Sequence, residues 1–297
     1  MKTIGFLGFG AVASCFGGAL HGAGARVLAH DVLLARPGGR EKLAARASGW
    51  SVELVDADTL AREAQLVLST VTTDVALAAA RAFAPRLASG KTYVDLNATA
   101  PAVKRDIARV VESAGADFVE GAILPAIGVM GARSQVLACG PSAARVAAEL
   151  TALGLNVKAY GEEIGRASSF KMLRSVFSKG VEALLVECLL AARRAGVEED
   201  LWREIVTTLD AASFEEVGGN WVRTHATAHA RRHHEMVQVA DVLRELGVDA
   251  PMTDATLRFF ERSTRLALSS EFPHPPARAG EVTAALERRL QAPVQPD

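Results

Sequence analysis

Residues 2–13 read Lys2-Thr-Ile-Gly-Phe-Leu-Gly8-Phe-Gly10-Ala-Val-Ala13, and the fold turns on them. A short apolar run, Ile4, Phe6 and Leu7, enters Gly8-Phe9-Gly10-Ala11-Val12-Ala13. An Ala- and Gly-rich helical pattern then continues to about His21. This is a Gly-x-Gly-x-x-Gly/Ala turn between a strand and a helix. Gly8 permits the tight turn, Gly10 lets a pyrophosphate approach the backbone, and Ala13 lets the helix lie close on the strand. The free N–H groups of the helix start, at Ala11 and Val12, favour phosphate. Arg26 to His30 reads as a second strand ending at Asp31, the acidic residue that such a turn needs about 20 positions on. A carboxylate there can accept hydrogen bonds from the adenosine ribose hydroxyls and repels a 2′-phosphate. Arg36 and Arg40 follow closely and can neutralise such a phosphate instead. NAD is therefore the expected cofactor, with NADP as the alternative.

The chain has 297 residues, enough for two domains with substantial cores. Its formal net charge of −1 favours neither nucleic acid nor an anionic membrane surface. The apolar runs are too short for a transmembrane helix. The opening apolar segment contains the phosphate turn and lacks a cleavage site, so no signal peptide is expected. Cys15, Cys139 and Cys188 are odd in number and widely spaced, which fits buried thiols in a reducing cytoplasm. A cytoplasmic enzyme is expected.

In the first half, short β-like runs alternate with helical stretches. Candidate strands are Ile4–Leu7, Val27–His30, Ser51–Val55, Leu66–Val71, Thr92–Leu96, Phe118–Gly121, Gln135–Ala138 and Asn156–Ala159, with helices at Asp74–Leu87 and Pro101–Ser113. Such alternation predicts an α/β fold, a Rossmann-type, mostly parallel sheet covered on both faces. After Gly161 the pattern turns helical. Phe170, Leu173, Phe177, Val181, Leu184, Leu185, Cys188 and Leu189 recur at helical spacing in a stretch from about Gly165 to Ala195. At 1.5 Å per residue this is a rod of roughly 45 Å. Breaks are expected at Gly218-Gly219, Gly247 and Pro251, and a last short helix from about Ala277. The expected division is residues 1–161, a dinucleotide-binding domain, and residues 162–297, an all-helical domain for substrate and dimerisation.

Ligands bind at the carboxyl ends of parallel strands. Ser69-Thr70-Val71-Thr72-Thr73-Asp74 ends the fourth strand, so the backbone at Val71 and Thr72 is expected beside the cofactor. An ordinary helix cap at Thr73 or Asp74 is compatible with this. Asn97, just past the fifth strand, is placed either to reach the nicotinamide ribose or amide, or to cap the next helix. Lys171 lies in the first two turns of the long helix. A lysine partly desolvated there can take a hydroxyl proton or protonate an alkoxide, although position alone also suits a surface lysine.

Several motifs together resemble the β-hydroxyacid dehydrogenase family, which includes 3-hydroxyisobutyrate and 6-phosphogluconate dehydrogenases. Gly8 to Ala13 matches the cofactor turn, and Asp95-Leu-Asn97-Ala-Thr-Ala-Pro101 resembles the family's Asp-x-Ser-Thr-x-x-Pro strand end. Phe118-Val-Glu120-Gly121 begins the substrate-loop region, Gly131-Ala132 follows it, and Lys171 stands where the family's catalytic lysine lies. The carboxyl-terminal stretch, from Arg223-Thr-His225 to Pro251-Met252, is similar to a 6-phosphogluconate-dehydrogenase-like branch with a distinct helical domain. The resemblance implies Lys171 as acid/base, a homodimer, and a small, acidic substrate whose hydroxyl or carbonyl carbon exchanges hydride with nicotinamide. Two departures concern the substrate. The family's Ser-Gly-Gly is replaced by Ile123-Leu-Pro-Ala126-Ile-Gly128, which puts Ala126 in the substrate region. The Asn usually four positions after the lysine is Ser175, with Arg174 beside it.

The imine reductases are the rival on the same scaffold, and often lack the lysine; a dinucleotide-binding sensor without turnover is the rival from another class. His225, His229 and His233 are spaced four apart on one helix face, with His234 and Glu235 beside them. Arg231 and Arg232 disfavour a cation there, so a solvated or interface face is expected rather than a metal site.

Overall fold

The computed structural model describes residues 1–47, 49–125 and 127–291. Its strands are β1 (Thr3–Leu7), β2 (Arg26–His30), β3 (Glu53–Leu54), β4 (Leu66–Ser69), β5 (Thr92–Asp95), β6 (Asp117–Leu124), β7 (Gln135–Cys139) and β8 (Val157–Gly161). The helices of the sheet region are α1 (Ala11–Gly22), α2 (Gly39–Arg46), α3 (Ala57–Glu63), α4 (Ala76–Phe83), α5 (Pro101–Ser113), α6 (Ile127–Met130) and α7 (Ala143–Ala152). The chain then continues through α8 (Arg166–Ala195), α9 (Glu198–Asp210), α10 (Phe214–Glu245), α11 (Pro251–Arg265) and α12 (Ala279–Gln291).

The sheet order is β3-β2-β1-β4-β5-β6-β7-β8. Neighbouring strands are parallel except β6 and β7, which pair antiparallel from Glu120↔Cys139 to Leu124↔Gln135. β1, β4 and β5 are buried at every position, as strands covered on both faces must be. One face packs Ile4, Phe6, Leu66, Leu68 and Val94 against Phe16 and Leu20 of α1. The other packs Leu7, Val67, Tyr93 and Phe118 against Ala80 and Phe83 of α4 and Ile107 and Val111 of α5.

Several expected boundaries shift for local reasons. β6 extends to Leu124, because pairing with β7 satisfies its backbone beyond Gly121. The single helix expected over Asp74–Leu87 is α4 flanked by 3-10 turns at Thr73–Val75 and Ala84–Arg86; Pro85, with no N–H, fits the tighter turn. Gly218 and Gly219 do not break the chain but lie inside α10. That helix starts at a capping box, where the Ser213 hydroxyl accepts from Glu216 N–H at 3.2 Å and the Glu216 carboxylate from Ser213 N–H at 2.9 Å. Two glycines cost about 1 kcal/mol each, too little to interrupt a long, packed helix.

The chain divides into two compact units, Met1–Val176 and Phe177–Asp297. The division falls inside α8 rather than ahead of it, because the first turns of α8 belong to the sheet. Ala167 packs with Ala122, Leu124, Leu137 and Cys139. In the helical unit, Ala226, Leu268, Val282 and Ala285 form one apolar cluster, and Ala191, Leu243 and Val248 a second. No described helix is long and apolar enough to cross a membrane.

A carboxylate joins two helices of the second unit. Glu187 on α8 is buried, and accepts from Met252 N–H at 2.7 Å, Thr253 N–H at 2.8 Å and the Thr253 hydroxyl at 2.7 Å. It thus caps the start of α11, where negative charge is favoured and N–H groups lack partners. Glu187→Ala is expected to lower unfolding stability by about 2 kcal/mol, read as a fall in the denaturation midpoint of the helical unit.

Candidate functional site

The glycine turn is set by three contacts. Gly8 has φ +85°, and a Cβ there would lie 2.9 Å from Val71 Cγ1 and 3.0 Å from Thr70 O, so only glycine fits. Its N–H donates to His30 O at 2.8 Å, and the Thr70 hydroxyl donates to its carbonyl at 2.7 Å. At Gly10 the need is different. A Cβ there would meet nothing within 4 Å, and no described side chain caps the N-terminus of α1 that begins at Ala11. The open space and the uncapped N–H groups together fit a pyrophosphate.

A cavity of about 850 Å³ opens on this turn. Of the residues expected around a cofactor, Gly8, Phe9, Gly10, Ala11, Asp31, Val71 and Thr72 line it, together with Val75, Ala79 and Phe83. Val12 does not; it packs against the sheet core. Asp31 has a further task that sequence reading did not foresee. Its two oxygens accept from Phe9 N–H and Leu33 N–H, each at 2.9 Å, so the carboxylate ties the glycine turn to the end of β2. Each oxygen keeps capacity for a further hydrogen bond, and Asp31 lines the cavity. Neither Arg36 nor Arg40 lines the cavity, and Arg40 donates to Leu54 O at 3.2 Å. The cation that does line it near the turn is Arg46, at the end of α2, whose guanidinium donates to Phe9 O at 2.6 Å.

A second cluster sits at the carboxyl ends of β4 and β5 and beside Gly121 within β6. Asn97 is buried rather than lining the cavity, and donates through Nδ2 to Ser69 Oγ at 3.0 Å and to Asp95 Oδ1. Asp95 is wholly buried, and its Oδ2 faces the Lys104 ammonium at 3.0 Å, an ion pair rather than a well-angled hydrogen bond. Lys104, only 1% exposed, also donates to Asp95 O at 2.8 Å and Gly121 O at 3.4 Å. Sequence reading missed Lys104, although a signal existed. Lys104, Ile107, Ala108 and Val111 repeat at i, i+3, i+4 and i+7, and all four are the buried face of α5.

Lys171 is partly buried in the second turn of α8. Burial, and then the positive charge of Lys104, hold its amine below the ordinary lysine range. Both influences disfavour the ammonium and favour the neutral amine, the form of a lysine that can accept a proton. Ser175 turns back into its own helix, its hydroxyl donating to Lys171 O at 2.9 Å, and Arg174 is exposed. Ala126 lies outside the described residues.

The histidine face, expected to be solvated or an interface, is not solvated at its first two residues. His225 and His229 are buried, and His225 Nε2 lies 2.9 Å from Ser263 Oγ. That hydroxyl donates to Phe259 O at 3.1 Å, so it accepts from His225. Burial, then His229, Arg232 and Arg262, push the His225 imidazole down to about 4, which leaves it neutral.

Two family models match the chain, one described as NADP oxidoreductase coenzyme F420-dependent over residues 3–99 and one as a domain of unknown function (DUF1932) over residues 192–263. A conserved hypothetical protein from Sinorhizobium meliloti 1021 is 34% identical over 97% of both chains, with a TM-score of 0.60. The conserved protein MTH1747, of unknown function and described as structurally similar to 3-hydroxyacid dehydrogenases, is 32% identical. Its match spans 90% of this chain and 98% of that one, with a TM-score of 0.59. An imine reductase from Myxococcus stipitatus in complex with NADP+ has a TM-score of 0.76 over 96% of this chain and 100% of its own, at 18% identity, a likeness of fold alone. The fold is that of NAD(P)-dependent oxidoreductases, and the chain belongs to the β-hydroxyacid dehydrogenase-like family with a helical carboxyl-terminal domain.

Proposed function

We propose that this protein is a nicotinamide-dependent oxidoreductase acting on the hydroxyl or carbonyl carbon of a small, acidic metabolite, with Lys171 as its acid/base. The observation that carries this reading is the placement of Lys171, partly buried in the second turn of α8, where burial and the positive charge of Lys104 disfavour its ammonium. A bound nicotinamide dinucleotide supplies or accepts hydride. Gly8 to Ala11 and the start of α1 would hold its pyrophosphate in the space at Gly10, and Asp31, Val71 and Thr72 would line its adenosine side. NAD is the expected form because of Asp31. Arg46 is the residue on which acceptance of NADP would rest; the Myxococcus imine reductase has been solved with NADP+ and its V8 variant with NAD+.

In the oxidative direction the neutral Lys171 amine takes the hydroxyl proton; in reduction the ammonium returns it to the carbonyl oxygen. Lys171→Met is expected to lower kcat by about 10²–10⁴-fold and leave the Kd for NADH unchanged by fluorescence titration. Turnover that survives this substitution removes Lys171 from the role. Because the base form is required, kcat/KM for oxidation should fall as pH drops through the amine's own value, with a midpoint below the 10.5 of an ordinary lysine. A screen of hydroxyacids, aldehydes and cyclic imines with NAD(H) and NADP(H) identifies the reacting bond; turnover confined to imines would replace the hydroxyacid reading.

The cofactor site has its own test. Gly10→Val puts a side chain into the open space ahead of α1. The Kd for NADH should rise at least about 10-fold, while the melting temperature stays within a degree or two of the parent.

We also propose a homodimer. Leu184 and Leu190 on α8, Trp202 and Leu209 on α9, and Phe214 and Trp221 on α10 are all more than a third exposed, apolar surface that a second copy of the chain would cover. Light scattering should return about twice the 31.3 kDa of the chain, and a monomer that persists at micromolar concentration would refute the pairing.

A further inference from the structure

We propose that Glu120 is the positioning residue for Lys171, its buried carboxylate binding the entry to α8 and thereby setting where the lysine amine stands. The inference rests on the reading of Lys171 as acid/base.

Glu120 lies on β6 and is completely buried. Its Oε2 accepts from Gly165 N–H at 2.5 Å and its Oε1 from Ser168 N–H at 2.6 Å. These belong to the unsatisfied donors at the start of a helix, where a negative charge is also favoured by the helix dipole. The Ser168 hydroxyl closes the same turn by donating to Gly165 O at 3.1 Å. Lys171 follows Ser168 by three residues, just under one helical turn. Whatever fixes the rotation and height of this turn fixes the origin of the Lys171 side chain.

The entry is held from α5 as well. Gly165 has φ +104°, and a Cβ there would come within 2.7 Å of Arg105 Nη1 and 3.2 Å of Pro101 Cβ. The chain meets the Glu120 carboxylate in this close, left-handed turn. In the family resemblance, Glu120 stands at the head of the substrate-loop region; in the structure its oxygens are spent on the helix carrying the lysine.

A neutral cap such as Ser or Asn satisfies a helix start without burying a charge, and a buried carboxylate is costly unless well compensated. Glu120 has no ion pair of its own among the described residues. The neighbouring Lys104 ammonium is committed to Asp95, which lies opposite Glu120 in the β5–β6 register. Of the other ionisable groups in this region, Cys139 on β7 stands opposite Glu120 in the β6–β7 register, Arg105 on α5 lies against Gly165, and Glu163 and Arg166 stand at the entry to α8. Its charge is felt there, since burial and then Glu120 push the Cys139 thiol up. The hydrogen bonds that compensate it come from the helix start itself, so carboxylate and helix are bound as one unit.

Glu120→Gln in the full-length protein tests this. The amide keeps the shape, but its NH₂ faces a donor, so one of the two bonds is lost. The expected result is a fall in kcat of about 10- to 100-fold with the Kd for NADH unchanged, and a displaced pH midpoint for the Lys171 limb. A purely structural cap would lower the melting temperature while kcat per folded molecule and the pH midpoint stayed at the parent values, and that outcome overturns the proposal. Labelling of Lys171 by pyridoxal phosphate and borohydride, read by peptide mass spectrometry across pH, needs no turnover. A labelling profile identical to the parent's also overturns it, whereas failure of the acid/base reading would show separately as activity in Lys171→Met. If Glu120→Gln does not fold, Glu120→Asp, which keeps the charge but cannot span both N–H groups, is read by the same two measurements.

Discussion

A parallel sheet brings the carboxyl ends of its strands to one edge, where each chain leaves regular pairing with backbone groups unsatisfied. In this protein that edge is held by side chains. Asp31 accepts from Phe9 and Leu33, the Thr70 hydroxyl donates to Gly8, and Glu120 accepts from Gly165 and Ser168. The glycine turn and the entry to α8 are thus tied to the same sheet by the same device, an oxygen placed one residue past or within a strand. Cofactor cradle and candidate base inherit their positions from the sheet register.

The edge is also where charge has been taken out of water. Asp95, Lys104 and Glu120 are all essentially unexposed. Removing one member of the Asp95–Lys104 pair costs about 3–5 kcal/mol, because the other is left uncompensated. Their arrangement is therefore unforgiving of drift. Lys104, held by Asp95 and two strand carbonyls, adds a fixed positive charge to the surroundings of Lys171, and Asp95 orders Asn97 beside Ser69. Electrostatic groups held this way do not need to reorganise when a reaction begins.

The helical unit shows a different use of polar burial. Glu187 joins α8 to the start of α11, and His225 is neutral, donating to Ser263 within an aromatic surrounding that includes Phe259 and Phe260. The run of histidines that suggests a solvated face is split by the helix period. His225 and His229 are buried, while His234 is exposed. Four-residue spacing places such residues on one side, but only packing decides whether that side meets water.

The glycine turn, the alternation of strands and helices, the long helix and Lys171 near its start were all legible in the sequence, because they follow from local backbone sterics and from the period of apolar residues. So was the family, from motifs in order. The partnership of Asp95 with Lys104, of Glu120 with Gly165 and Ser168, and of Arg46 with Phe9 was not. Those groups lie between about 9 and 48 residues apart in the chain, and nothing in local spacing brings them together. Only the sheet register and the return of α8 onto β6 do so. Local chemistry determined that this chain would build a phosphate turn and a candidate base; tertiary structure decided which buried charges surround them, since a charge is stable inside a protein only where the fold delivers its partner.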